Sequence, residues 1–410
     1  MKLLVIQPTG DKFGHFGIYT ARLAQEIANR GHEVLVCTNR LEVGRFLSGP
    51  KKFELVEVGR GAYDFESYER QATSFPGRYW YGYFRNSWKI FRAGLNLCRK
   101  RVFDGVYVTD VEFMIAALAL KLHGGPLPPI VMQVNASNFS FDEYPGGFIK
   151  KTYKVVQREV FRSAVGKQIK AFSILGDWHR ERLQKQLRID TQFPIELIPD
   201  GGGRFANPIA KDEARARLGI TYTGDIFLFL GVLRRDKGLK SLARAIALLD
   251  QSGREFRIIL AGFPLQYSLG EINDLLGLND PHGRTIHSKL DYVDEAEMPT
   301  YFYAADCLLL PYNDQYKGSC GPLMKGACTF GLPVVVSDVS EMGALTRKHQ
   351  LGFTATPGDP DDLAKAMGRF LDTRPQERAA MTERAFALGQ SNSWPAMAQR
   401  YEALFDRLTS

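Results

Sequence analysis

Short unbroken runs of Val, Ile and Leu recur along the chain, and between them apolar residues fall three and four positions apart. Lys2 to Gln7 (KLLVIQ) and Glu33 to Thr38 (EVLVCT) are runs of the first kind. Tyr19 to Arg30 lies between them, with Leu23 and Ile27 at helical spacing, so the spacing predicts strand, helix, strand. Further strands are expected at 102–110, 129–136, 170–174 and 195–201. A second series follows the glycines 201–203, with strands expected at 225–231, 254–262, 307–312 and 333–338 and helices between them. Strands alternating with helices require a parallel sheet covered on both faces, which is why these runs are continuous rather than alternating. The two series meet near residue 205, and the chain closes on a helical pattern, Trp394 to Leu408, introduced by SNSW.

At 410 residues the chain exceeds the size at which one core stops growing. The expected division is 1–204, 205–390 and a terminal helix at 391–410. Apolar residues at 45% and charged residues at 24% describe an ordinary globular composition and exclude a disordered or fibrous chain. The five cysteines (Cys37, Cys98, Cys307, Cys320, Cys328) lack the spacing of a zinc site or a CxxC pair, so no metal site is expected and a cytoplasmic location fits. The N-terminal MKLLVIQPTG reads as a strand rather than a secretion signal. The longest strongly apolar stretch, Phe113 to Leu122, falls well short of the roughly 20 residues that cross a bilayer.

The net charge of +8 is unevenly placed. Up to Phe205 there are 30 Lys/Arg against 20 Asp/Glu, and beyond it 23 against 25. Arg78 to Arg101 holds seven basic residues, seven aromatics and no acid. Two readings of this stretch stay open. It is an element that meets an anionic membrane surface, placing the protein peripherally at the inner membrane face; or it is a plain helix whose Trp88, Phe91, Leu95 and Cys98 are core and whose basic face is solvated. No nucleic-acid motif accompanies the charge.

Ligands of open parallel sheets bind beyond the carboxyl ends of the strands, so the loops there carry the candidate chemistry. In GDKFGHFGIY, Gly14 and Gly17 would let the backbone approach a phosphate and His15 is a candidate ligand-facing or proton-transfer residue, a plain tight turn with a solvated histidine being the alternative. In GVLRRDKGLKSLARAI, Gly231 ends a strand, and Arg234 and Lys237 place two cations where a diphosphate would sit; a solvated basic turn is the plainer alternative. Gly318, Ser319, Cys320 and Gly321 open a small-residue helix whose amides form an anion-receiving nest, or merely permit tight packing. IPDGGGRF, at 198–205, looks like a hinge.

Together these stretches, with DYVDEAEMPTYFYAADCLLLPY, GLPVVVSD, TPGDPDDLAKAM and the terminal SW before a helix, resemble the retaining GT-B glycosyltransferases of family four, the group that shares an architecture with glycogen synthases. The resemblance implies an α/β fold of two Rossmann-like domains facing a central cleft. The nucleotide-sugar donor would lie on the C-terminal domain and the acceptor on the N-terminal one, with the last helix crossing back. It assigns Arg234 and Lys237 to the donor diphosphate, the Gly14–Gly17 loop to the same phosphates and Tyr292 to the place where the base is received. It implies transfer of a hexose with retention to a glycan, a lipid-linked or a small-molecule acceptor. Neither cofactor nor metal is implied, the nucleotide-diphosphate sugar being a substrate. An inverting reaction would need His15 as base.

Two departures stand out. Aligned on Gly331 and Pro333, Gly318 and Gly326 occupy the positions of the group's paired glutamates, which leaves donor hydroxyls to Asn313, Asp314, Ser319 or Glu341. Asn135, on the acceptor side, stands where relatives carry histidine. A non-catalytic or regulatory nucleotide-sugar binder is therefore the alternative function.

Overall fold

The computed structural model describes residues 1–10, 16–41, 43, 47, 49–59, 76–109, 111–134, 147–316 and 321–410. They form two compact units, Met1–Pro199 with Trp394–Ser410, and Asp200–Ser393. The boundary falls five residues before the expected one.

The first unit holds a seven-stranded sheet: β1 (Lys2–Gln7), β2 (Glu33–Thr38), β3 (Glu54–Glu57), β4 (Gly105–Val108), β5 (Ile130–Val134), β6 (Ile169–Ile174) and β7 (Ile195–Leu197). Their order is β3-β2-β1-β4-β5-β6-β7, every pair parallel. Leu4 and Ile6 of β1 face one core, shared with Phe91, Leu95, Phe113, Phe161 and Leu183 of the helices Pro76–Lys100, Phe113–Lys121, Phe148–Arg162 and Trp178–Leu187. Leu3 and Val5 face the other, under the helices Phe16–Asn29 and Trp394–Thr409. Burial on both faces is what the unbroken apolar run of β1 reflects.

The terminal helix is locked to this sheet by hydroxyls and by one glycine. The Tyr401 hydroxyl donates to Ser173 Oγ at 3.0 Å and meets Tyr107 at 3.1 Å and Tyr19 at 3.3 Å, all buried. At Gly105 a Cβ would lie 2.4 Å from the Phe405 ring, so only glycine lets β4 and this helix pack so closely.

The second unit holds β8 (Ile226–Leu230), β9 (Arg257–Ala261), β10 (Thr285–Lys289), β11 (Cys307–Leu310), β12 (Val334–Ser337) and β13 (Gly352–Ala355), again parallel, in the order β10-β9-β8-β11-β12-β13. Phe227 and Phe229 of β8 pack under the helices Leu239–Gln251, Leu269–Asn279 and Pro360–Leu371. Ile226 and Leu228 face the opposite core. The two segments that join the units are tied together: the Gly202 amide donates to the Asn392 carbonyl at 2.9 Å, and Gly202 bridges Ser393.

Three strands escaped the sequence reading: β3, β10 and β13. All are edge strands with at most one buried residue, so none shows the apolar run that marks a strand enclosed on both faces.

Candidate functional site

In the second sheet the strand order reverses between β8 and β11. A crevice opens beyond the carboxyl ends of the two strands at such a reversal, because their connections leave in opposite directions. The two loops that meet there are Gly231–Gly238 after β8 and the segment beginning at Pro311 after β11.

After Gly231, which leaves β8 at a φ of 143°, the chain forms a single 3₁₀ turn, Arg235–Lys237, and enters the helix Leu239–Gln251 through Gly238 at a φ of 73°. The turn is pinned from the β11 side: the Asn313 amide donates to the Asp236 carbonyl and the Asn313 side-chain nitrogen to the Arg235 carbonyl, both at 3.1 Å. Asn313 Oδ1 in turn accepts from the Gln315 amide at 3.0 Å.

This geometry separates the two adjacent arginines. Arg235 turns outward, where it stacks 4.2 Å over the Tyr267 ring and pairs with Glu271 at 2.6 Å. Arg234 stays on the loop and forks onto both oxygens of Asp236, at 3.0 and 2.8 Å. Burial works against its charge, but Asp236 outweighs it and holds the guanidinium pKa above its ordinary value.

Lys237 Nζ lies 3.7 Å from the centre of the Tyr312 ring and 4.4 Å from that of Tyr316, whose rings meet edge to face at 4.6 Å. Both tyrosines are buried. Part of Lys237 reaches solvent, yet enclosure of its ammonium, with Arg234 beside it, pushes its pKa well below the usual lysine range; Asp236 offsets this only in part. Two aromatic faces offer the cation about 2 kcal/mol of attraction but no hydrogen-bond acceptor. Such a cation is best satisfied by an arriving anion, which also repays its desolvation.

Tyr312 and Tyr316 were not singled out from the sequence, nor was Asp236. The available signal was PYNDQY directly after an apolar strand, but only the closure of β11 beside β8 shows that it faces the basic turn.

Other expected site residues are distributed as follows. Tyr292 follows β10, two strands from the reversal, and its amide donates to Asp291 Oδ1 at 2.6 Å. Glu341 is buried in the first turn of the helix Ser340–His349, after β12. Gly17 is buried in the first turn of Phe16–Asn29, in the first unit. Gly321 precedes a π-helical turn, Leu323–Ala327, that continues into Cys328–Phe330. Gly14, His15, Asn135, Gly318, Ser319 and Cys320 lie outside the described residues.

Gly326, where alignment on Gly331 and Pro333 led us to expect one of the paired glutamates, faces the core: a Cβ there would lie 2.8 Å from Leu308 Cδ2 and 2.9 Å from the Phe302 ring. In this backbone the position has no room for a carboxylate.

Residues 210–387 match the family described as glycosyl transferases group 1. Among curated proteins, alpha-D-kanosaminyltransferase of Streptomyces kanamyceticus is 24% identical over 265 residues, 63% of this chain and 65% of that protein. D-inositol 3-phosphate glycosyltransferase of Corynebacterium jeikeium is 29% identical over 234 residues, 53% of each chain. The match thus spans between about half and two thirds of the length of these two curated relatives. Among solved structures, sucrose-phosphate synthase from Thermosynechococcus elongatus superposes with a TM-score of 0.73 at 16% identity, over 99% of this chain and 98% of that one. HepE of Anabaena, in complex with UDP and glucose, does so with a TM-score of 0.70 at 15% identity, over 99% and 100%. Residues 210–387 therefore carry a glycosyltransferase group 1 domain, on a chain with the GT-B fold.

Proposed function

We propose that this chain transfers a hexose from a nucleoside-diphosphate sugar to a sugar, lipid-linked or small-molecule acceptor. The observation that carries the reading is the enclosed ammonium of Lys237, beside Arg234, at the strand reversal of a glycosyltransferase group 1 domain. A departing nucleoside diphosphate gains negative charge as the glycosidic bond breaks, and fixed cations in a partly dry site stabilise that charge without reorganising. Arg234 would exchange Asp236 for a phosphate oxygen, and Lys237 would gain the acceptor it lacks.

Retention follows from the family resemblance: the acceptor hydroxyl attacks on the face the diphosphate leaves, and a departing phosphate oxygen takes its proton. The cations perform the charge compensation for which a metal would otherwise serve. Support for a nucleoside-diphosphate donor comes from HepE, solved with UDP and glucose.

The test is a thermal-shift panel of UDP, GDP and ADP with their glycosyl forms, since a ligand of the native state raises its apparent stability by mass action. A shift by one base, lost in Lys237→Ala, is expected, followed by slow hydrolysis of that donor in chromatographic assays. No shift by any nucleotide would overturn the donor site. A shift without hydrolysis or transfer to any acceptor would instead favour a regulatory binder, the reading to which the glycines at 318 and 326 point.

A further inference from the structure

One face of the first unit differs from the rest of the described surface. The helices Pro76–Lys100, Phe113–Lys121 and Phe148–Arg162 lie side by side on the same side of the sheet; Phe84 and Tyr153 of the outer two meet edge to face at 6.0 Å. The expected core stripe is core: Phe91 and Leu95 are fully buried, and Trp88 and Cys98 pack against them. Among the described side chains left outside, Arg85, Lys89, Arg99, Lys100, Lys121 and Lys151 are exposed cations. The three helices carry six, one and five Lys/Arg against a single acid, Glu159.

The same layer also exposes apolar side chains. Among the described residues, seven of the ten large apolar side chains left exposed lie in these helices or within two residues of their ends. They include Tyr81 at 67% exposure, Leu122 at 61% and Phe148 at 84%, together with Val155 and Val156. Exposed Arg85, Lys89 and Lys151 stand among them. Arg85 reaches over Tyr81 and Arg92 over Trp88, so guanidinium and ring share one surface.

We propose that this helical layer docks the protein on an anionic lipid bilayer. Neither half of the pattern suffices by itself: cations alone would suit a polyanion, and scattered apolar residues alone are ordinary surface. Their combination suits the headgroup boundary, where phosphates meet the cations and Phe148, Val155, Val156 and Tyr81 enter the acyl edge. A nucleic acid offers the aliphatic side chains nothing, and a second copy of the chain would bring like charges together. No helix among the described residues is long and apolar enough to cross a membrane, so the contact is interfacial. The inference is independent of the transfer reading, because it concerns only the first unit's surface.

The experiment is flotation of the full chain with phosphatidylcholine vesicles, with and without a quarter of phosphatidylglycerol. Binding only to the anionic vesicles is expected, weakened by salt. Arg85→Glu with Lys151→Glu should weaken it at least about fivefold per residue changed. Phe148→Ser with Val156→Ser should reduce the salt-resistant remainder while leaving the melting temperature and any nucleotide shift unchanged. Equal binding to neutral vesicles, no binding, or indifference to both double variants in folded protein would overturn the proposal. So would capture by heparin or RNA without vesicle binding, or a dimer that the apolar variant dissociates.

Discussion

Gly238 and Pro311 approach so closely that a Cβ at 238 would lie 1.7 Å from the Pro311 carbonyl oxygen. This contact joins the loop after β8 to the end of β11 and holds the basic turn against the tyrosines. Gly253 has nearly the same positive φ, 72°, with nothing within 4 Å of its would-be Cβ. Gly253→Ala should therefore cost about 1 kcal/mol, the conformational part alone. Gly238→Ala should cost roughly 3 kcal/mol and abolish any nucleotide-induced shift. Urea denaturation of the two variants measures the difference; equal costs would mean that the loop relaxes and the contact positions nothing.

Lys237→Met should leave the unliganded protein as stable as before or more so, because it removes an enclosed charge and keeps the packing between Tyr312 and Tyr316. It should also abolish nucleotide-diphosphate binding. The lowered folded-state pKa means that the charge costs stability fully below that pKa, and the cost fades as pH rises from it towards the unfolded value of about 10.4. The wild-type should thus gain stability relative to Lys237→Met across that window, while nucleotide affinity falls as the free site loses its proton. Affinity that holds constant up to the ordinary lysine range would contradict the enclosed-cation account.

The two neighbouring arginines should behave oppositely. Arg234→Ala should weaken nucleotide-diphosphate binding by ten- to a hundredfold, as loss of a charge-assisted pair costs about 1.5–3 kcal/mol. Arg235→Ala loses an exposed pair with Glu271 and should cost about 1 kcal/mol of stability or less, with affinity unchanged. Calorimetric titration with the nucleotide found in the thermal panel decides between them.

Gly326→Glu, which introduces the residue type expected there from the resemblance, should destabilise by more than about 3 kcal/mol, since a side chain there collides with Leu308 and Phe302 and buries an unpaired carboxylate. Faster transfer in a stable Gly326→Glu variant would show that the π-helical turn reorganises. Gly326→Ala, with one added carbon, should cost about 1–3 kcal/mol.

If Arg234 and Lys237 carry the leaving charge, a chelator should leave donor hydrolysis unchanged. Loss of activity restored by a divalent cation would transfer that role to a metal.

Central strands and the basic loop were legible in the amino-acid order because each has a local cause. Strands enclosed on both faces, such as β1, β8 and β12, must be apolar at nearly every position, and a helix that enters through a left-handed residue takes glycine, as at Gly238. Arg234 and Lys237 were recognisable as cations between such a strand and such a helix. The sequence alone therefore determined two series of parallel strands and the loop of the second sheet on which Arg234 and Lys237 stand, with a division expected near residue 205 that falls at Pro199/Asp200. Tertiary structure alone decided the rest. The half-exposed edge strands β3, β10 and β13 exist only because a neighbour offers them a ladder. Tyr312 and Tyr316 flank Lys237, more than 70 positions away in sequence, because β11 pairs with β8. The direction of Arg235, the orientation of Gly326 and the depressed lysine pKa depend on distances that no local spacing encodes, since enclosure by remote residues sets the energy of a charge.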